Sequence, residues 1–171
     1  PGSEIIVTDD TGKRLPPGGI GEIRVRGDHV MKGYWNLPDI TAETIDGSWL
    51  CTGDIGTWDN DGFVTVIDRK KDIIISGGSN IFPKDIEEVL ATHPAVAEVA
   101  VYGRPHENWG EIVEAAVVLH KGATTDADAL IAFSRGHLAT FKAPKFIRFM
   151  QELPKNPSGK ILKRNLRVPK D

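Results

Sequence analysis

The sequence predicts an α+β chain: a β-rich segment over residues 1–68, then a small α+β domain of a three-stranded sheet with helices over residues 69–171. Short alternating apolar runs, separated by Gly- and Asp-rich turns, fill the first third. Helical periodicity with clear start and stop signals begins only after Asp68. Between the two patterns lies the charge run Asp68-Arg69-Lys70-Lys71-Asp72, which suits a solvated linker that extends and bends.

Taken in order, strands are expected at Glu4 to Thr8, Ile20 to Arg26 and Phe63 to Ile67. Asp59-Asn60-Asp61-Gly62 is a hairpin turn, because Asn, Asp and Gly tolerate the positive φ angles of tight turns. The helical period at Ile40 to Ile45 is too short to count. Ile73-Ile74-Ile75 reads as a buried strand and Ser76-Gly77-Gly78-Ser79-Asn80 as a loop. Pro83 fits the first turn of a helix, where its missing N–H is not needed, and Asp85, Glu87 and Glu88 complement the positive helix N-terminus. Ile86, Val89 and Leu90 form its buried stripe, and Pro94 stops it. Strands at Val96 to Tyr102 and Ile112 to Leu119 flank the polar stretch Gly103 to Gly110, a long loop whose Trp109 makes it a binding candidate. Thr125 caps a second helix with Asp128 three residues on, and Leu130, Ile131, Ser134, His137 and Leu138 face inward. Phe146 to Met150 is the last strand. The tail from Gln151 is polar and turns cationic at Lys160, Lys163, Arg164, Arg167 and Lys170.

Composition narrows the function. With 21 Lys+Arg against 24 Asp+Glu, net −3, the chain lacks the basic balance of a nucleic-acid binder. The longest apolar runs, Ala115 to Leu119 and Val99 to Tyr102, are far shorter than the roughly 18 residues that span a bilayer. The first residues have neither a basic region nor an apolar core, so no signal or transit peptide is expected. Cys51, the single cysteine, has no partner for an intrachain disulfide, and a reducing cytoplasm is the expected compartment. The five histidines never reach metal-ligand spacing, and no G-x-S-x-G elbow supplies a serine nucleophile. Glu87-Glu88 reads as a solvated helix face.

Two segments retain chemical interest. Pro154 to Lys160 is not a phosphate loop, since Pro154 replaces its first glycine and Ile161 follows the lysine. It still presents one lysine on a Gly-flanked turn, a point charge able to reach a phosphate oxygen, although out of context the stretch reads as a disordered linker. Thr52-Gly53-Asp54 sets a carboxylate beside a glycine at a strand end, where it could accept hydrogen bonds from a diol; an ordinary turn is the plainer reading.

In order and with their spacing, these pieces form a larger pattern. Gly33-Tyr34-Trp35-Asn36, Thr52 to Gly56, Asp61-Gly62-Phe63, Asp68 to Asp72, Ser76 to Pro83, His93-Pro94, Trp109-Gly110-Glu111 and Leu153 to Arg164 together resemble the C-terminal part of the adenylate-forming acyl-CoA synthetases. That superfamily also contains beetle luciferases and the adenylation domains of nonribosomal peptide synthetases. The resemblance covers nearly the whole chain.

It implies a two-step ligase: a fatty or aryl acid attacks the α-phosphate of ATP to give an acyl adenylate and pyrophosphate, then the thiol of coenzyme A displaces AMP. A small C-terminal domain rotates on a large N-terminal one, serving each half-reaction with a different face. Carried onto this sequence, residues 1–68 would end the β-subdomain of the large domain. Asp54 would bind the ribose hydroxyls with Arg69 assisting, Lys71 would be the hinge, and Lys160 would bridge the carboxylate and the α-phosphate. Gly77 and Gly78 would line the pantetheine tunnel, with Trp109, and more loosely Phe141 and Lys145, against the coenzyme A nucleotide. A full-length member is about three times as long, so the chain is expected to be a fragment whose partner is the missing N-terminal domain, which holds most of the contacts to ATP and Mg2+. A lysine acetyltransferase acting on Lys160 is a further partner in this reading. Two other classes remain open: an adenylation domain that loads a carrier protein, and a non-catalytic module whose basic tail docks on a partner.

Overall fold

The computed structural model describes residues 2–167, so Lys170 of the cationic tail lies outside the described residues. The fold is α+β and separates into two compact units, the first ending at Lys71 and the second starting at Asp72, three residues beyond the division drawn from the sequence. Among the described residues no helix is long and apolar enough to cross a membrane.

The first unit is a five-stranded antiparallel sheet built from β1 (Glu4–Thr8), β2 (Gly21–Arg26), β3 (Ile45–Asp46), β4 (Trp49–Trp58) and β5 (Val64–Arg69). β4 is its spine, pairing with β2, β3 and β5. The sequence reading places only a strand end at Thr52-Gly53-Asp54 within it, because Gly53 and Gly56 interrupt its alternation. Gly56 is required by packing: a Cβ there would lie 2.6 Å from both Ile23 Cδ1 and the Thr65 carbonyl. Val7, Ile23 and Ile55 form the buried centre. The expected turn at Asp59 to Gly62 is present, with Asp59 Oδ1 accepting the Asp61 and Phe63 N–H groups. The short helical period is a real helix, α1 (Pro38–Thr44), opened by Pro38 and burying none of its own residues.

The second unit contains β6 (Ile74–Ser76), β7 (Ser79–Ile81), α2 (Pro83–Ala91), β8 (Val96–His106), β9 (Gly110–Leu119), α3 (Ala127–His137) and β10 (Phe146–Phe149). Its sheet has five strands rather than three. β9 pairs along its length with β8, and on its other side with β10, which runs parallel, and with β6 at Gly110. The expected long loop at residues 103–110 is mostly strand, with Glu107, Asn108 and Trp109 alone joining β8 to β9. The expected loop at residues 76–80 is a tight β6–β7 hairpin whose Ile75 is exposed instead of buried. The α3 cap is Asp126, one residue later than expected, its carboxylate accepting the Ala129 N–H. Of the expected inner face, Leu130 and Ser134 are buried while His137 is exposed, its ring against Phe133.

Strand alternation sends successive residues of β8 and β9 to opposite faces. Val101, Val113, Ala115 and Val117 meet Ile86 and Leu90 of α2 and Leu130 of α3. Ala100, Tyr102 and Ala116 face the other way and are covered by Leu153, Ile161 and Leu166 of the tail. On that second face Glu114 is buried; it accepts the Tyr102 hydroxyl at 2.7 Å and lies 3.3 Å from Arg104 and 3.7 Å from Arg148. Arg148 continues to the Leu166 carbonyl at 2.7 Å, fastening the tail to the sheet. Burial, reinforced by the hydrogen bond to Glu114 and its charge, pushes the Tyr102 phenol above the ordinary tyrosine range, so the hydroxyl remains a donor.

Glu114→Ala would leave the buried Tyr102 hydroxyl without its acceptor and remove the charge that faces Arg104 and Arg148 beneath the tail. Urea unfolding should show a loss of about 2–3 kcal/mol, the scale of stranding buried donors to a charged group. A loss within experimental error would mean that Glu114 contributes nothing to holding the tail.

Candidate functional site

The β6–β7 hairpin turns through Gly77 and Gly78, at φ +56° and +80°, between the paired residues Ser76 and Ser79. Two successive positive φ angles match the twist of a two-residue hairpin, which is why glycine stands at both positions. The hairpin tip is fastened to the β8–β9 connection by the Gly77 N–H, which donates to the Trp109 carbonyl at 2.9 Å. A Cβ on Gly77 would lie 2.8 Å from Trp109 Cε3, so the close approach that demands glycine there is with the indole. Around Gly78 the same position is open space.

This contact forms one wall of a cavity of about 230 Å³. Gly77, Trp109, Phe141 and Lys145, all singled out from the sequence, line it together with Ser76, Ser79 and Ile112; Gly78 does not. Trp109 and Phe141 are each more than half exposed, an unusual state for two aromatic rings beside one cleft. The Lys145 backbone is anchored by its N–H to the Val113 carbonyl at 2.8 Å, and its side chain is exposed. Flat apolar surface with a cation at its rim suits a ligand that joins an aromatic or extended apolar part to an anion.

The first unit holds a second constellation. Asp54 and Arg69 face each other across β4 and β5, with Arg69 Nε 2.8 Å from Asp54 Oδ1, leaving the other carboxylate oxygen as an acceptor. The Thr52-Gly53-Asp54 corner is tightly specified. Thr52 Oγ1 donates to the Ile23 carbonyl and accepts the Asp54 N–H, and Gly53 takes φ +69°. Glu22, missed in the sequence, is buried beneath this corner, accepting the Gly53 N–H at 3.3 Å and Lys70 Nζ at 3.1 Å. Burial alone would lower the Lys70 pKa, but the hydrogen bonds and charges of Glu22 and Asp10 outweigh it and raise it. Lys71, the residue read as a hinge, is exposed in the 3-10 turn Lys70–Asp72, and the two units divide directly after it.

Lys160 sits on an ordered turn, not in a disordered linker. Asn156 Oδ1 accepts three donors, the Ser158 N–H and hydroxyl and the Lys160 N–H, while Lys155 and Ile161 bridge across the base. Ion pairs hold both sides: Lys155 with Glu98 at 2.8 Å and Lys163 with Glu87 at 2.7 Å. Glu87, read as a solvated face, also accepts the Val101 N–H at 2.7 Å and so ties α2, β8 and the tail together. Lys160 itself is exposed and joins none of the ion pairs among the described residues. Only the folded geometry reveals that neighbouring cations are engaged while this one is not.

Residues 85–160 match the family described as the AMP-binding enzyme C-terminal domain. A long-chain-fatty-acid–CoA ligase of Bacillus subtilis is 50% identical over 161 residues, covering 94% of this chain and 29% of the ligase. Among solved structures, ATP-bound MatB from Rhodopseudomonas palustris superposes with a TM-score of 0.92 at 44% identity, covering 98% of this chain and 34% of that one. The o-succinylbenzoate CoA synthetase of Bacillus subtilis, in complex with its acyl-adenylate intermediate, gives a TM-score of 0.90 at 40% identity, with coverage of 99% and 34%. The chain thus spans about a third of the length of the relatives it matches.

The two hairpin glycines should respond differently to a methyl group. Gly77→Ala and Gly78→Ala both incur the left-handed backbone strain of about 1–2 kcal/mol, but only Gly77→Ala also meets the indole. In an NMR spectrum the Trp109 indole N–H resonance should move in Gly77→Ala and stay in place in Gly78→Ala. Equal displacement in both would show that the Gly77–Trp109 packing is not specific.

Proposed function

Because residues 85–160 match the AMP-binding enzyme C-terminal domain, we propose that the chain is the C-terminal part of an ATP-dependent ligase that joins a fatty or aryl acid to coenzyme A through an acyl adenylate. The observation that carries this reading is the single cavity at which Gly77, Trp109, Phe141 and Lys145 meet, with Lys160 held apart on its own rigid turn. Two separate presentations suit a protein whose two half-reactions need different groups. In the first, the exposed Lys160 ammonium offsets negative charge building between the acid and the α-phosphate, and its fastened turn avoids reorganisation at that moment. Asp54, oriented by Arg69, accepts hydrogen bonds from the ribose hydroxyls.

In the second half-reaction, the Gly77 hairpin and the two exposed rings receive coenzyme A, and Lys145 meets its phosphates. Free coenzyme A is favoured over a carrier protein because a carrier's pantetheine lacks the nucleotide that these rings and this cation would contact. Lys71, at the division between the units, supplies the backbone rotation that exchanges the two faces. The large N-terminal part, holding the triphosphate, Mg2+ and the acyl group, is the chain's principal partner. A lysine acetyltransferase would act on Lys160, whose exposed ammonium is chemically available and whose charge acetylation removes.

Two outcomes test this reading. The 171-residue chain alone should give no ATP–pyrophosphate exchange with any acid, since adenylation needs groups from both parts in register; robust exchange would refute the assignment. In the full-length ligase, Lys160→Ala should slow acyl-adenylate formation by ~10²–10³-fold and leave thioester formation from supplied acyl adenylate near the wild-type rate. Single-turnover kinetics of each half-reaction makes the comparison, and equal slowing of both would make Lys160 structural.

A further inference from the structure

The β6–β7 hairpin is anchored at its base by Ile74 and Ile81, both fully buried in the core, but its ladder pairing with the sheet is sparse. β6 meets β9 through a single residue pair, Ser76 with Gly110, and β7 lies beyond it at the margin. A strand joined at one position leaves neighbouring N–H groups in need of other acceptors. One of these, the Ile75 N–H, donates to Glu111 Oε2 at 2.9 Å, a side chain standing where a ladder carbonyl would be.

The Glu111 carboxylate is itself confined. A Cβ on Gly103 of β8 would lie 2.5 Å from Glu111 Cδ and Oε1 and 2.7 Å from Oε2. The carboxylate therefore lies flat over the bare backbone of Gly103, a slot that exists only because that residue has no side chain. Gly103 has ordinary strand dihedrals, so backbone conformation does not require glycine here. Glu111 also stands between two features of the cavity: Trp109, which packs on Gly77, and Ile112, which lines the wall.

We propose that Glu111 is a positioning residue, seated in the Gly103 slot, that holds the Ser76–Gly77 wall of the cavity at the distance its ligand requires. The proposal rests on the reading of that cavity as the coenzyme A site. Its ligand affinity then depends on a carboxylate that does not itself line the cavity. The interaction needs an acceptor oxygen at this place and not a negative charge, so glutamine serves and alanine does not. Filling the slot acts like removing the carboxylate, even though Glu111 is still present.

The test uses the 171-residue chain with Glu111→Ala, Glu111→Gln and Gly103→Ala, read by amide hydrogen exchange and by titration with coenzyme A. In Glu111→Ala and Gly103→Ala, exchange at Ile75 and Gly77 should accelerate about tenfold or more, while the β8–β9 core amides keep their protection. Glu111→Gln should exchange like the wild type. The dissociation constant for coenzyme A should rise roughly fivefold or more in the first two variants and stay unchanged in the third. Unaltered Ile75 exchange in Glu111→Ala, or loss of protection throughout β8 and β9, would overturn the positioning role. If the wild-type chain binds no coenzyme A, the reading of the cavity fails, and the exchange data still decide whether Glu111 holds the hairpin.

Discussion

A two-stranded ribbon that is apolar on both sides cannot stand in water, and the β8–β9 hairpin is such a ribbon. Val101, Val113 and Val117 point to one face and Ala100, Tyr102, Ala116 and Val118 to the other, so the second unit must supply two covers. The helices α2 and α3 provide one through Ile86, Leu90 and Leu130. Among the described residues no third α-helix covers the other face, and the tail does that work with Leu153, Ile161 and Leu166. The tail's internal hydrogen bonds close local turns and do not run along its length as a helix's do, and the buried polar cluster on this face joins it to the sheet. Glu114, Tyr102 and Arg148 tie the Leu166 carbonyl down and convert a flexible cover into a fixed one.

That cover is also the platform for Lys160. Leu153 and Leu166 lie on either side of the Asn156 turn, and the pairs Lys155–Glu98 and Lys163–Glu87 set its edges. A lysine needed for its charge is most useful where its backbone is fixed and its ammonium unengaged; the Lys160 N–H is held by Asn156, and among the described residues no ion pair takes the ammonium. The opposite design serves the cavity. Its Gly77 wall is held by one ladder position, the Gly77 N–H to the Trp109 carbonyl and one side-chain acceptor, so its geometry is more easily tuned than that of the core.

Much of this was legible from residues alone. The strands beginning at Glu4, Val96 and Phe146, the helix opened by Pro83 and the turn at Asp59 all follow from periodicity and local chemistry. β4 was legible only as a strand end at Thr52-Gly53-Asp54, because two glycines break its alternation for reasons of packing and turn geometry that only neighbouring strands reveal. The β6–β7 hairpin read as a loop because three-residue strands are too short for a periodic signal. At the candidate sites, residue types pointed to Lys160, Asp54 and Trp109, whereas Glu22, Glu87 and Glu111 were missed. Their roles depend on which distant N–H or ammonium they meet, across separations of 31, 14 and 36 residues. No local pattern encodes such a partner.

The turn built on Asn156 has a consequence for the chemical ageing of the protein. An asparagine side chain deamidates when the next backbone nitrogen attacks its carboxamide carbon to close a succinimide ring, and that attack requires an N–H. Pro157 follows Asn156 and has none, so this route to aspartate is closed. Conversion would have placed a new negative charge at the atom that accepts the Lys160 N–H, on the turn that presents the Lys160 ammonium. A proline that looks like loop filler in the sequence thereby preserves the electrostatic character of the turn over the lifetime of the molecule.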